Sequence, residues 1–220
     1  MALSTLKSFS PPPINLKEIA RYAGQKGDDE TINLVIEECL KEIADTLTFN
    51  VCYKRVECVV FGNEVLLGGR KIASKDLAKN LKDCKEAYLF GATIGLGIDR
   101  VIEKYSTIFP LKALIMHSIG VERIESLGDA FCAFLEKEVS KEGLSVRPRF
   151  SAGYGDFRIE NQTLFFELLD NVKTIGLTLN SSLIMSPSKS VTAVVGISEN
   201  GKVAKVGCEV CSDKSCEYRR

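Results

Sequence analysis

The chain has 220 residues, 45% of which are hydrophobic, and this is enough apolar material for one sizeable core. Its 29 Lys and Arg residues balance its 29 Asp and Glu residues, so no broad cationic field is available to attract nucleic acid or an anionic membrane. No apolar run approaches the ~20 residues that cross a bilayer, and the N-terminus lacks the long apolar stretch of a secretory signal. We expect one cytoplasmic domain spanning residues 1–220.

Hydrophobic spacing predicts the elements of the first half of the chain. Residues 1–13 are predicted to form an extended leader. Apolar residues recur three and four apart over 32–47, which predicts a helix with one buried face, capped by Asp28 or Asp29. Alternation and β-branched content over 51–60 predict a strand that enters a hairpin. The other elements predicted here are a short helix over 16–23 and a strand over 64–67.

The second half mixes helices with short strands. Pro110 suits a first helical position, and a long apolar side predicts one central helix over 110–141. Gly95 and Gly97 predict a strand-to-helix turn, since a phosphate loop would need a further glycine or a Lys-Ser/Thr pair. Further predictions are helices over 75–81 and 161–169, strands over 87–94 and 191–197, extended structure over 177–185, and an Asn200-Gly201 turn into a strand over 203–206. This layout predicts an α+β fold with a largely antiparallel sheet.

The polar residues of the long helix and most of the cysteines predict no chemistry of their own. His117 is the only histidine, and we expect it to be structural or exposed. Glu122, Arg123 and Glu125 are predicted to be solvated or locally paired charges on the helix face. We expect reduced thiols that behave as small hydrophobes at Cys39, Cys52, Cys58, Cys84 and Cys132.

The segment from Arg147 to Phe157, called the Arg149 loop below, combines cations, aromatic rings and glycines. Arg149 offers a planar five-donor fork that suits a carboxylate. Gly153 and Gly155 let the backbone approach a small molecule, and Tyr154 adds an aromatic face. Composition alone also fits an ordinary surface turn. The residue types allow a small-molecule site but do not decide between these two interpretations.

The same residues carry a family resemblance. The pattern Arg149-x-x-x-Gly153-Tyr154 resembles the S-adenosylmethionine signature of the activation, or reactivation, domain of cobalamin-dependent methionine synthase. The run from Met185 to Ala193 resembles that domain's Met-x-Pro-x-x-Ser-Val segment, and residues 129–135 are similar to the helix that precedes its Arg loop. The likeness extends over nearly the whole chain and implies a free-standing version of the domain, with a bent α+β fold and a shallow ligand groove.

The resemblance also implies a set of ligand-binding residues. The loop lines one side of the groove, and the strand after Ser190 contributes from the other. The synthase has aromatic residues at positions matching 195 and 196, so ring contacts do not transfer there, and Glu18 is our match for an acidic residue near the ligand's amino group. The ligand-binding residues expected are Arg149, Ala152, Gly153, Tyr154, Val195, Gly196 and Glu18.

The resemblance implies an accessory role in a methyltransferase system. The expected reaction is the reductive methylation of inactive cob(II)alamin, with S-adenosylmethionine as the methyl donor and one electron from a flavodoxin-like or ferredoxin-like protein. The cobalamin belongs to a partner, a methionine synthase or its corrinoid domain. Because the domain only holds the methyl group in line and docks the corrinoid, no catalytic acid, base or nucleophile is expected.

A second constellation lies in the cysteine-rich tail, residues 207–220. Cys208, Cys211 and Cys216 have a spacing that suits zinc or an iron-sulfur cluster, although a closed site needs a fourth ligand. Cys84 or His117 could supply it, a partner could, or the thiols are free. The alternative function is therefore a metal or iron-sulfur redox or docking module for another corrinoid methyltransferase.

Overall fold

The computed structural model describes residues 3–25 and 29–199, which form a sheet with helices on both faces. The strands are β1 (Thr5–Ser8), β2 (Asn50–Phe61), β3 (Glu64–Leu67), β4 (Arg70–Ala73), β5 (Glu86–Thr93), β6 (Ser145–Val146), β7 (Thr178–Leu179), β8 (Met185–Ser186) and β9 (Ser190–Ser198). The helices are α1 (Leu16–Tyr22), α2 (Glu30–Ile43), α3 (Lys75–Asn80), α4 (Gly97–Ile108), α5 (Pro110–Ser140), α6 (Thr163–Leu168) and α7 (Asn171–Ile175), with a 3₁₀ turn at Ile159–Gln162.

The main sheet has the strand order β4-β3-β2-β5-β9-β6, with β1 paired to β2, and all its pairings are antiparallel. Strands β7 and β8 pair only with each other. The sheet and its helices confirm the predicted α+β class with a largely antiparallel sheet. Among the residues described, none of the helices combines the length and the apolar character that crossing a membrane requires.

Strand β5 shows why the core has two halves. Successive side chains of a strand point to opposite faces, so Phe90 packs beneath α5 while Leu89 belongs to a second cluster on the other face. The ring of Phe131 on α5 lies 4.8 Å, between centroids, from that of Phe90. The prediction that the helix over 110–141 is the central packing element is confirmed. Helix α5 also lies beside β9.

The charged residues Glu122 and Arg123 of α5 are buried rather than solvated, and the alternative prediction, local pairing, is confirmed for both. Their side chains are 2% and 3% exposed and form an ion pair at 2.5 Å. Arg123 donates to the carbonyl oxygens of Pro12 and Pro13, at 2.6 and 2.8 Å, and Glu122 accepts the backbone N–H of Asn15. The leader thus supplies partners for the buried Arg123, while Asn15 and the hydroxyl of Ser126 supply those of Glu122, and part of the leader also joins the sheet as β1.

Other predicted elements differ in detail. Asp29, one of the two predicted caps, caps α2 by accepting the N–H groups of Thr31 and Ile32. The extended segment over 177–185 is mostly irregular, with two-residue strands at its ends. The predicted Asn200-Gly201 turn and the strand over 203–206 lie outside the described residues.

Candidate functional site

The Arg149 loop is an arm fixed to the edge of the sheet. Phe150 and Val194 exchange two backbone hydrogen bonds of 2.9 Å, which continue the pairing of β6 with β9. Phe157 is fully buried, and its ring stacks on that of Phe150 with 6.2 Å between centroids. Both ends of the loop are therefore anchored in the core, and the segment between them is held in a defined position.

Asp156 fixes the far side of the loop by capping α3. Its carboxylate accepts the hydroxyl of Ser74 at 2.5 Å and the backbone N–H groups of Lys75 and Asp76 at 2.8 and 3.0 Å. These hydrogen bonds, the one from Ser74 first, lower the pKa of Asp156. Gly155 has a left-handed φ of +55°, and a Cβ there would collide with the carboxylate of Asp76. This half of the loop is structural.

The tip of the loop carries the predicted residues Ala152, Gly153 and Tyr154. Gly153 has a φ of +97° and donates its N–H to the carbonyl of Phe157 at 2.7 Å, so a side chain at 153 would be strained. Ala152 is half-buried against the second core cluster, whereas Tyr154 is 66% exposed. The aromatic ring of Tyr154 is therefore available to a ligand.

The guanidinium of Arg149 lies on α5. It contacts the carboxylates of Glu125 at 2.7 Å and Asp129 at 3.1 Å, and the side chain is only 21% exposed. Its seat is Gly128, where an added Cβ would overlap Nη1. Residues three and four apart lie on one helix face, so Glu125, Gly128 and Asp129 form a cradle one turn long. We call this the Arg149 cradle.

The partners of Arg149 were missed by sequence reasoning, which predicted that Glu125 is solvated or paired locally on its own helix. The signal was present, because acidic residues at 125 and 129 with a glycine between them place two carboxylates around a gap on one face. Cys132, one turn further on, also approaches the guanidinium. Burial raises the pKa of its thiol, and Arg149 offsets this only in part.

Val195 and Gly196 lie inside the fold, away from any open groove. Val195 is fully buried among the residues that pack beneath α5. A Cβ at Gly196 would lie 2.7 Å from Leu81 and 2.8 Å from Cys84, so the glycine is closely packed on the opposite face. Both residues are in the middle of β9, paired with β5, and the structure leaves neither an open face for a ligand.

Glu18 lies on α1 and pairs with Arg21 of the same helix at 2.6 Å. A hollow of about 580 Å³ lies between α1 and α2, where Ala20 and Ile36 line it. None of the predicted site residues that the structure describes lines this hollow. Acidic groups beside Arg149 are instead supplied by α5, through Glu125 and Asp129.

The tail cysteines Cys208, Cys211 and Cys216 lie outside the described residues. Within residues 3–25 and 29–199, no group of three or more His, Cys, Asp or Glu side chains could hold a metal ion. The described cysteines are Cys39, Cys52, Cys58, Cys84 and Cys132, and none of them forms a disulfide. Metal or cluster binding by the tail stays a prediction.

The chain has an α+β fold like that of the activation domain of methionine synthase, as the resemblance predicted. Among solved structures, the chain is similar to the crystal structure of the MetH reactivation domain bound to AdoHcy, with a TM-score of 0.67. The two share 13% sequence identity, and the match covers 94% of this chain and 82% of that one. No family model and no curated protein matches the sequence.

Proposed function

We propose that this protein binds S-adenosylmethionine at the Arg149 cradle and supports the reductive methylation and reactivation of cob(II)alamin in a methionine synthase that lacks its own activation domain. The observation that carries the proposal is the guanidinium of Arg149, seated on Gly128 between two carboxylates. The similarity to a reactivation domain solved with AdoHcy supports the same ligand class.

The cradle suits the zwitterionic end of an amino acid. Arg149 can offer its fork to the ligand's carboxylate, and Asp129, which is 66% exposed, can accept the ligand's ammonium. The ligand then replaces one ion pair of the protein by two of its own, so no charge is left unpaired. Asp129 takes the role that the sequence analysis gave to Glu18.

The remaining parts of the ligand are a sulfonium and an adenine. The two carboxylates of Glu125 and Asp129 outnumber the single guanidinium of Arg149, so the cradle carries a net negative charge. This charge favours a nearby cation. The exposed ring of Tyr154 offers a flat surface to a base. These groups bind and orient the methyl donor, and the partner's corrinoid supplies the cobalt that accepts an electron and the methyl group.

Direct binding tests this proposal. Isothermal titration of the purified protein with S-adenosylmethionine and S-adenosylhomocysteine should show one site per chain. Adding the protein, the methyl donor and a reduced flavodoxin to an oxidised corrinoid methionine synthase should restore its turnover. If neither nucleoside binds, the ligand assignment is wrong. If a nucleoside binds but the turnover of the synthase is not restored, the reactivation role is wrong.

Gly128→Ala should separate binding from stability. The added Cβ overlaps the Nη1 of Arg149, so the flexible side chain moves out of its seat and affinity for S-adenosylhomocysteine falls roughly 10-fold or more. Alanine is a better helix former than glycine by ~1 kcal/mol, so the midpoint of thermal unfolding should not fall. Titration and thermal unfolding of the same sample check this, and unchanged affinity would show that the seat is not part of the site.

A further inference from the structure

Helices α4 and α5 form a hairpin whose tip exposes apolar side chains. The single residue Phe109 joins the two helices, and α4 packs back along α5. Where they meet, four large apolar side chains fall within seven positions, with exposed fractions of 67%, 61%, 53% and 46%: Ile108, Phe109, Leu111 and Leu114. We call this surface the apolar tip. The proposed function makes no use of it, and a cluster of exposed apolar side chains is typical of an interaction site.

The stem below the apolar tip is tied to α2. Glu42 of α2 binds the amino group of Lys112 at 2.6 Å and accepts the hydroxyl of Tyr105 at 2.7 Å, so one carboxylate holds both helices of the hairpin. The amino group of Lys112 also lies 4.4 Å from the centroid of the Tyr105 ring. Because the stem is fixed in this way, the tip does not fold back to bury its side chains in its own molecule, and only another molecule can cover them.

The hairpin offers a neutral surface to a partner. Between residues 97 and 121 three bases stand against two acids: Arg100, Lys104 and Lys112 against Asp99 and Glu103. Glu42, which contacts Lys104 at 3.5 Å as well as Lys112, completes the balance. Burial lowers the pKa of His117, the next exposed residue of α5 after Leu114, so its ring is neutral at pH 7. A neutral apolar surface suits an identical surface better than an acidic or basic partner, and it attracts no anionic membrane.

The apolar tip continues as a stripe along α5. Leu111, Leu114 and the half-buried Val121 recur at spacings that place them on one face of the helix. A helical hairpin with an apolar outer stripe is half of a four-helix bundle, and a second hairpin of the same kind completes it. Because each copy offers the same surface, such a contact is isologous and closes at two copies. We propose that the apolar tip and its stripe bind the same surface of a second copy of this chain, which pairs two α4–α5 hairpins into a two-fold dimer.

The size of the surface sets the strength of the contact. The four side chains of the apolar tip expose about 400 Å² in total, roughly half of the ~800 Å² that each partner buries in a stable complex. The dimer is therefore reversible, with a Kd on the order of 10–100 μM. Leu111 precedes Gly128 of the Arg149 cradle by 17 residues of α-helix, a rise of roughly 26 Å. A second copy on the tip leaves the cradle open, so this inference is independent of the proposed function.

Sedimentation velocity of the full chain tests the dimer. Between about 1 and about 500 μM, a range that brackets the expected Kd, the natural protein should pass from monomer to dimer. Leu114→Glu and Leu111→Glu each place like charges across the contact and should weaken the dimer at least ~30-fold. Both positions are about half exposed, so the variants should fold, which circular dichroism checks. The matched control is Val172→Glu, which should leave the Kd unchanged, because Val172 is 55% exposed on α7, on the other face of the sheet.

A mixing experiment tests the two-fold arrangement. Leu114→Glu and Leu114→Lys should each be monomeric at about 100 μM, whereas an equimolar mixture should form a heterodimer, since opposite charges then meet across the contact. A mixture that stays monomeric overturns the inference, as does a natural protein that is monomeric over the whole concentration range. A dimer that Leu114→Glu leaves intact, or that Val172→Glu weakens equally, also overturns it. So does a tip that binds a corrinoid protein while the natural chain remains monomeric.

Discussion

Arg149→Ala should lose S-adenosylhomocysteine binding by roughly 30-fold or more, the cost of truncating one member of a hydrogen-bonded charge pair. Methyl-donor-dependent reactivation of the partner synthase should disappear with it. The reason is that the guanidinium is the group on the cradle that can bind the ligand's carboxylate through two parallel hydrogen bonds. Titration calorimetry and the turnover of the partner measure the two effects.

The matched control for this change is Arg158→Ala. Arg158 follows the same loop but is 76% exposed and pairs with Glu160 at 2.9 Å, so its removal should leave binding unchanged. Loss of the partly exposed Arg149 pair should also cost little stability, on the order of 1 kcal/mol. If the natural protein and Arg149→Ala bind S-adenosylhomocysteine with equal affinity, the cradle is not the ligand site.

Arg123→Met should cause the largest loss of stability, about 3–5 kcal/mol. Methionine fills part of the space but leaves the buried carboxylate of Glu122 unpaired and the carbonyls of Pro12 and Pro13 without their donor. For a domain of this size the midpoint of thermal unfolding should fall by roughly 10 °C. Calorimetry or circular dichroism at matched concentration measures the shift.

Arg70→Met gives the comparison for the buried pair. Arg70 also binds a carboxylate, that of Glu167 at 2.8 Å, but both side chains are about half exposed, at 59% and 48%. Exposed pairs contribute at most about 1 kcal/mol, so its midpoint should move by only a few degrees. If the two variants unfold at the same temperature, the buried Arg123 pair contributes no more to stability than the exposed Arg70 pair.

Much of the fold could be predicted because local signals agreed with the global arrangement. Helices α2 and α5 follow their apolar spacing, with Asp29 and Pro110 marking their starts. Strand β9 was predicted within one residue at each end, because a run of small and β-branched residues suits a strand covered on both faces. Strand β4 (Arg70–Ala73) is short and weakly patterned, and it was not predicted.

The parts that sequence reasoning missed depend on residues far apart in the chain. Burial of Arg123 requires carbonyls more than a hundred positions earlier, and no local pattern reveals them. Arg149 was singled out as a fork for a ligand, but its carboxylate partners within the protein come from another element, and only the packing of the loop on α5 joins them. Val195 was selected by its alignment with a motif, whereas the register of β9 beside β5 turns it into the core.

The anchoring of the Arg149 loop has a consequence for how fast a ligand is captured. With Phe157 in the core, Asp156 on α3 and Phe150 paired to Val194, the backbone around Arg149 has already given up its conformational freedom before any encounter. A ligand that binds the Arg149 cradle as proposed would therefore meet a preformed loop, and its capture would need no slow ordering of the chain. The on-rate should then be set by diffusion and orientation, and differences in affinity between related nucleosides should arise mainly in how long each one stays.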